Sequence, residues 1–103
     1  MRPVSIVAEE LIFRFKMRRK IQVEGYNQYS LIEVRGENLV VTREQGKGTK
    51  IPKSRIIMAL DKVRKNPSIY EKGPKGIDVA GPVLIPSPIW VILHLMTLEE
   101  INA

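Results

Sequence analysis

The stretch from Leu39 to Asn66 constrains this 103-residue chain more than any other. Leu39-Val40-Val41-Thr42-Arg43 is apolar and β-branched and predicts a strand. Glu44-Gln45-Gly46-Lys47-Gly48 is a polar turn, and Thr49-Lys50-Ile51 predicts a short returning strand. Pro52 closes the ladder because it has no N–H to donate. Beyond it the period becomes helical. Ile56, Ile57, Leu60 and Val63 recur at helical spacing among Arg55, Asp61, Lys62, Arg64 and Lys65. Ser54 is the expected N-cap, since its hydroxyl can accept from the first amides. Lys62, Arg64 and Lys65 suit the carbonyl end of the helix dipole, and Asn66-Pro67 stops the helix. The remaining segments must pack on this hairpin–proline–helix unit.

Upstream, Met1 to Ala8 is a lead-in with room for a short helix capped by Ser5. From Glu10 the alternation is clean. Leu11, Phe13, Phe15, Met17, Ile21 and Val23 share one parity, interrupted by Arg19. Arg14, Lys16, Arg18, Lys20, Gln22 and Glu24 share the other, with Ile12 the exception. On a helical wheel the apolar residues of 6–20 scatter all round. Period two therefore predicts one long bent strand, or two strands broken near Arg18-Arg19. Gly25-Tyr26-Asn27-Gln28 is a turn. Tyr29 to Arg35 predicts the next strand, with Ser30, Ile32 and Val34 on one face and Tyr29, Leu31 and Glu33 on the other. Gly36-Glu37-Asn38 is a hairpin loop. Short successive connections predict an antiparallel meander.

Downstream, Pro67 to Gly81 reads as loop, and Val83-Leu84-Ile85 as a short strand or extended pass. Pro86-Ser87-Pro88 opens a second helix, with Ser87 as N-cap and Pro88 at its first position. Ile89 to Met96 is apolar except for His94. Val79 to Leu98 carries no charge, but Gly81, Pro82, Pro86 and Pro88 interrupt it. About ten helical residues remain where a membrane span needs roughly 20, so no span is expected. The expected fold is a single α+β domain over residues 1–103. It has an antiparallel β-meander of about four or five strands, one amphipathic helix (54–66) and a C-terminal apolar helix (about 87–98).

Charge is distributed unevenly. All 17 Lys and Arg lie at or before Lys75, with 8 acids among them, whereas residues 76–103 hold only Asp78, Glu99 and Glu100. A basic body with an apolar, faintly acidic tail suits a polyanion on one side and protein on the other. The chain has no cysteine, so disulfides and thiolate metal sites are excluded, and the reducing cytoplasm is the expected location. No leader pattern is visible at the N-terminus.

No motif identifies a family, and enzymatic activity is not expected. Gly46-Lys47-Gly48-Thr49 has the letters of a phosphate loop in the wrong arrangement, between strands instead of opening a helix. Glu33-Val34-Arg35 is close to the Glu-x-Lys element of metal-dependent nucleases, with Glu24 as a second acid, but carries arginine for lysine. His94 is the only histidine and stands in an apolar helix, which excludes a multi-histidine metal site. Neither a metal nor another cofactor is expected.

Two readings of function follow. The first is a small basic nucleic-acid-binding protein, non-specific or shape-reading. On one face of a strand, Arg14, Lys16, Arg18 and Lys20 would stand about 6.6–6.8 Å apart, a spacing that can track phosphates of DNA or RNA. Lys47, Lys50 and Lys53 would assist from the hairpin turn and helix start. A solvated or edge-protecting charge row has the same sequence. Tyr26, Tyr29 and Tyr70 sit in or near loops where bases could stack on them. The alternative is a protein-interaction or homo-oligomerisation module. It would dock through Ile89, Trp90, Val91, Leu93 and Leu95 of the C-terminal helix, most simply as a two-fold homodimer.

Overall fold

Residues 1–43, 48–79 and 86–103 are described by the structure, a computed structural model. Helix α1 (Val4–Arg18) is followed by strands β1 (Lys20–Ile21), β2 (Tyr29–Arg35), β3 (Asn38–Arg43) and β4 (Thr49–Pro52). Helices α2 (Lys53–Lys65), α3 (Ile69–Lys72), α4 (Pro74–Val79), α5 (Pro86–Leu93) and α6 (Leu98–Ile101) complete the chain. The fold is α+β. Its antiparallel sheet has the order β1-β2-β3-β4, a meander, with Leu39 opposite Ile51 and Val41 opposite Thr49 in the central hairpin. The turn of that hairpin, with Lys47, lies outside the described residues, as does the extended pass expected at Val83 to Ile85.

The expected strand over 10–24 is not there. Residues 4–18 are a helix, and only Lys20 and Ile21 pair with β2. The alternation misleads because it is two interleaved i,i+4 series. Leu11 and Phe15 follow Val7 and Ala8 into the core, while Phe13 and Met17 run along the opposite, solvent side. A helix with apolar side chains on two faces looks period-two when its faces are sampled alternately. Ala, Glu, Leu, Lys, Arg and Met are also good helix formers, so local propensity agrees with the fold. The break expected at Arg18-Arg19 is where the helix ends. Arg19 takes the left-handed conformation (φ 69°), and its N–H donates to the Phe15 carbonyl at 2.7 Å.

Strand β2 carries a bulge. Its register against β3 shifts between Leu31 and Glu33. Tyr29 and Leu31 face the core, and beyond the bulge Val34 takes the core side opposite Leu39 while Ile32 is left outside. The predicted grouping of Ser30, Ile32 and Val34 on one face fails for that reason.

Helix α2 begins one residue earlier than expected and is not capped by Ser54. Pro52 precedes it in extended conformation, and the Lys53 N–H donates to the Glu37 carbonyl at 2.7 Å. Residues 67–79, expected as loop, form the short helices α3 and α4. Between them Gly73 has φ 88°, and a Cβ there would lie 2.7 Å from the Tyr26 hydroxyl, so glycine is required.

The C-terminal helix also differs from expectation. It starts at Pro86, and the Ser87 hydroxyl meets the Tyr29 hydroxyl at 3.1 Å. It stops at Leu93, short of residue 98. His94, Leu95 and Met96 close a tighter turn by donating to the carbonyls three residues back. Thr97 then caps α6 through a capping box with Glu100. A residue that caps a new helix cannot continue the old one.

One hydrophobic core joins the inner face of the sheet to α1, α2 and α5. Ile89, Val91, Ile92 and Leu93 are fully buried, and Trp90 is nearly so, its indole N–H donating to the Ile69 carbonyl at 3.0 Å. Among the described residues no helix is long and apolar enough to cross a membrane. Replacing Trp90 by Ala should destabilise the protein by about 3–5 kcal/mol, from the lost ring and the cavity left behind. Denaturant unfolding of the variant checks this, and an unchanged midpoint would contradict it.

Candidate nucleic-acid interface

The cations divide into those consumed by the fold and those left outside it. Arg14 belongs to the first group. Its guanidinium donates to the Leu95 carbonyl at 3.1 Å and to Glu100 Oε1 at 3.0 Å, pairs with Glu100 Oε2, and reaches Glu10 Oε1 at 3.4 Å. Arg2 donates to the other Glu10 oxygen at 2.7 Å and to the Glu100 carbonyl. Arg64 donates to the carbonyls of Ile101 and Arg2, both at 2.7 Å. These three arginines fasten the start of the chain to its end. Elsewhere Lys53 pairs with Glu9 at 3.1 Å, Lys65 with Asp61 at 3.0 Å, and Arg35 with Glu33.

The second group gathers where α1 meets β1. Lys16, Arg18, Arg19 and Lys20 are exposed, and none has a carboxylate partner among the described residues. Lys16 and Arg18 occupy the last turn of α1, where positive charge suits the carbonyl end of the dipole. Arg19 follows in its left-handed turn, and Lys20 enters the sheet. Cross-strand partners point to the same face, so Lys20, Ser30 and Thr42 form a row on the outer side of the sheet. Val40 and Lys50 face each other in the next row, with Ile32 beside them. Ile32 is 49% exposed, so this side is open.

The structure thus separates the residues expected to act together. Arg14, Lys16 and Arg18 lie on a helix and do not project at a two-residue period, so the cationic row of a strand does not form. Arg14 is an internal ion-pair partner, and Lys53 is tied to Glu9. Lys16, Arg18 and Lys20 stay exposed. Lys50 lies on the other edge strand, exposed and without a carboxylate partner among the described residues. Arg19 joins the cluster, although the alternation treats it only as an interruption. Its signal is the unbroken run Arg18-Arg19-Lys20.

The residues expected to dock a partner are used internally. Ile89, Trp90, Val91, Leu93 and Leu95 are at most 5% exposed within this one chain. Of the eight residues of α5 only Ser87 is polar, and with a sheet and two helices to cover, α5 has no outward face. Nor do the tyrosines form a stacking platform on the open sheet face. Tyr29 is buried, Tyr26 packs on Trp90, and Tyr70 stacks on His94 at 4.0 Å and donates to the Met96 carbonyl. Glu33 is held by Arg35, and no group of three His, Asp or Glu able to hold a metal is present among the described residues.

Two titrations test these assignments. The Arg14 hydrogen bond, with the Thr97 amide, holds the Glu100 carboxyl at about 2. Its pairing stabilises the fold above the ordinary carboxylate range and is lost as pH falls from about 4.5 towards 2. Burial pushes the His94 imidazole below its ordinary 6.5, partly offset by its bonds to the Trp90 and Tyr70 backbone. The unfolded chain therefore binds that proton first, and stability falls as pH drops below 6.5. Arg14→Ala should destabilise by about 1 kcal/mol at neutral pH, a modest value because the pair is partly exposed. It should also flatten the stability profile below pH 4.5. His94→Gln should remove the decline just below 6.5. Melting temperatures of the three proteins across this range check both.

No family model, no curated protein and no solved structure matches this chain.

Proposed function

We propose that the protein is a non-catalytic, sequence-tolerant nucleic-acid-binding protein that grips phosphates with the cationic corner between α1 and β1. One observation carries this reading: Lys16, Arg18, Arg19 and Lys20 are exposed together with no carboxylate partner among the described residues, in a chain where Arg2, Arg14, Arg35 and Arg64 are engaged. Unpaired cations keep a local positive field, and a phosphate backbone is the polyanion best matched to a compact cluster of that sign. Lys50 and the hydroxyls of Ser30 and Thr42 extend a polar surface from the corner across the open sheet. The contacts are to backbone phosphates, which position a nucleic acid without reading its sequence.

Binding of short duplex and single-stranded oligonucleotides, followed by fluorescence anisotropy, should fall in the micromolar range and weaken steeply with salt. Four phosphate contacts on duplex DNA give a slope of log K against log salt of about −3.6. Arg18→Glu with Lys20→Glu should abolish binding, whereas Lys72→Glu with Lys75→Glu should change it little. No binding at low salt, or binding indifferent to salt, would refute the reading.

A further inference from the structure

We propose that two copies of this chain associate through the outward side of α1, with the two helices crossing antiparallel about a two-fold axis near Phe13. The inner side of α1 is satisfied by the core, through Val7, Ala8, Leu11 and Phe15. Its far side carries Ile6, Phe13 and Met17, which are 46%, 60% and 69% exposed. Their separations of seven and four residues are two turns and one turn, so they form one stripe. A stripe of large apolar side chains with the whole protein behind it is a contact surface awaiting a partner.

The pattern of the stripe selects a second copy. In an antiparallel crossing, facing residues have numbers with a constant sum. A sum of about 25 sets Phe13 against Phe13 and Ile6 against Met17, each within about two residues, or about 3 Å at 1.5 Å per residue. The same register sets Glu9 of each copy across from Lys16 of the other. Glu9 and Lys16 are seven residues apart on one flank of the stripe and both are exposed, Glu9 at 61% although it also pairs with Lys53 at 3.1 Å. Antiparallel helices bring like flanks together, so opposite charges meet twice, once on each side of the axis. A parallel pairing would instead set this flank against the partner's other flank, where Glu10 and Arg14 are already paired with Arg2, with each other and with Glu100. The flank also borders a groove of about 350 Å³ in whose wall Ile12, Phe13 and Val34 stand beside Glu9, Lys16, Glu37 and Lys53, so the contact there is part apolar and part charged. One face of a 15-residue helix, about 22 Å long, is less than the roughly 800 Å² each partner gives to a standard stable interface. The dimer is therefore a weak one, forming at micromolar concentrations.

Sedimentation of the full chain should show mass rising from monomer to dimer between low and high micromolar concentration. Phe13→Glu, and separately Met17→Glu, should leave a monomer throughout with an unchanged melting temperature, because both side chains are exposed. Orientation is read with cysteines, which the natural chain lacks. Phe13→Cys should form a disulfide with itself under mild oxidation. Ile6→Cys and Met17→Cys should each couple poorly alone and readily when mixed. Monomer at every concentration would overturn the proposal. So would self-coupling of Ile6→Cys and Met17→Cys with no mixed product, the mark of a parallel contact. Either result is independent of oligonucleotide binding at Arg18 and Lys20.

Discussion

The burial of α5 is the interaction on which the remaining structure depends. A short helix with almost no polar side chain has no water-tolerant face, so every neighbour is arranged to cover it. The inner face of the sheet lies against one side, and α2 and α4 close others. Among the described residues, the polar side chains of this region bond locally. The Trp90 indole donates to Ile69, the His94 ring bonds the Trp90 carbonyl, and the Ser87 and Tyr29 hydroxyls pair. These bonds add direction to a contact that hydrophobic burial by itself would leave loosely oriented.

Closing that core brings the chain ends together, and the arginines follow from this. Arg2, Arg14 and Arg64 reach the carbonyls and carboxylates around α6, where a short helix end would otherwise leave acceptors unpaired. A guanidinium suits the task because its planar fork serves several acceptors at once. The consequence is a division of labour among like-charged residues. Arginines near the C-terminal turn hold the fold, and the cations at the far end of α1 are left facing solvent. Net charge alone does not distinguish the two groups.

Helix α1 is pulled in three directions. Its inner face completes the core, its flank carries the Arg14 clasp, and its end presents the basic corner. The outward Ile6, Phe13 and Met17 belong to none of these. That residual face is the reason the helix resembles a strand in sequence, since it supplies apolar residues where a core-facing helix would have polar ones.

The hairpin, the break at Pro52 and the helix after it were legible in the sequence because each rests on local chemistry. β-branched runs, an amide missing from proline and an i,i+4 apolar stripe act within a few residues. The cations at 16, 18 and 20 were named from the sequence, but as a two-residue row on a strand that does not form, because residues 4–18 are a helix. Other features were decided by tertiary structure. Whether Leu11 to Met17 alternates as a strand or winds as a helix depends on which apolar residues find a core, and only the packed α2 and α5 settle that. The bulge at Ile32 is set by strand pairing, not by its own residue type. Arg14 was withdrawn from the charged surface by Glu100, 86 positions away in sequence. The α5 residues turned from a docking face into an interior because the sheet and helices closed over them. Local periodicity records what a segment can bury, whereas the partner it is buried against is chosen by the whole chain.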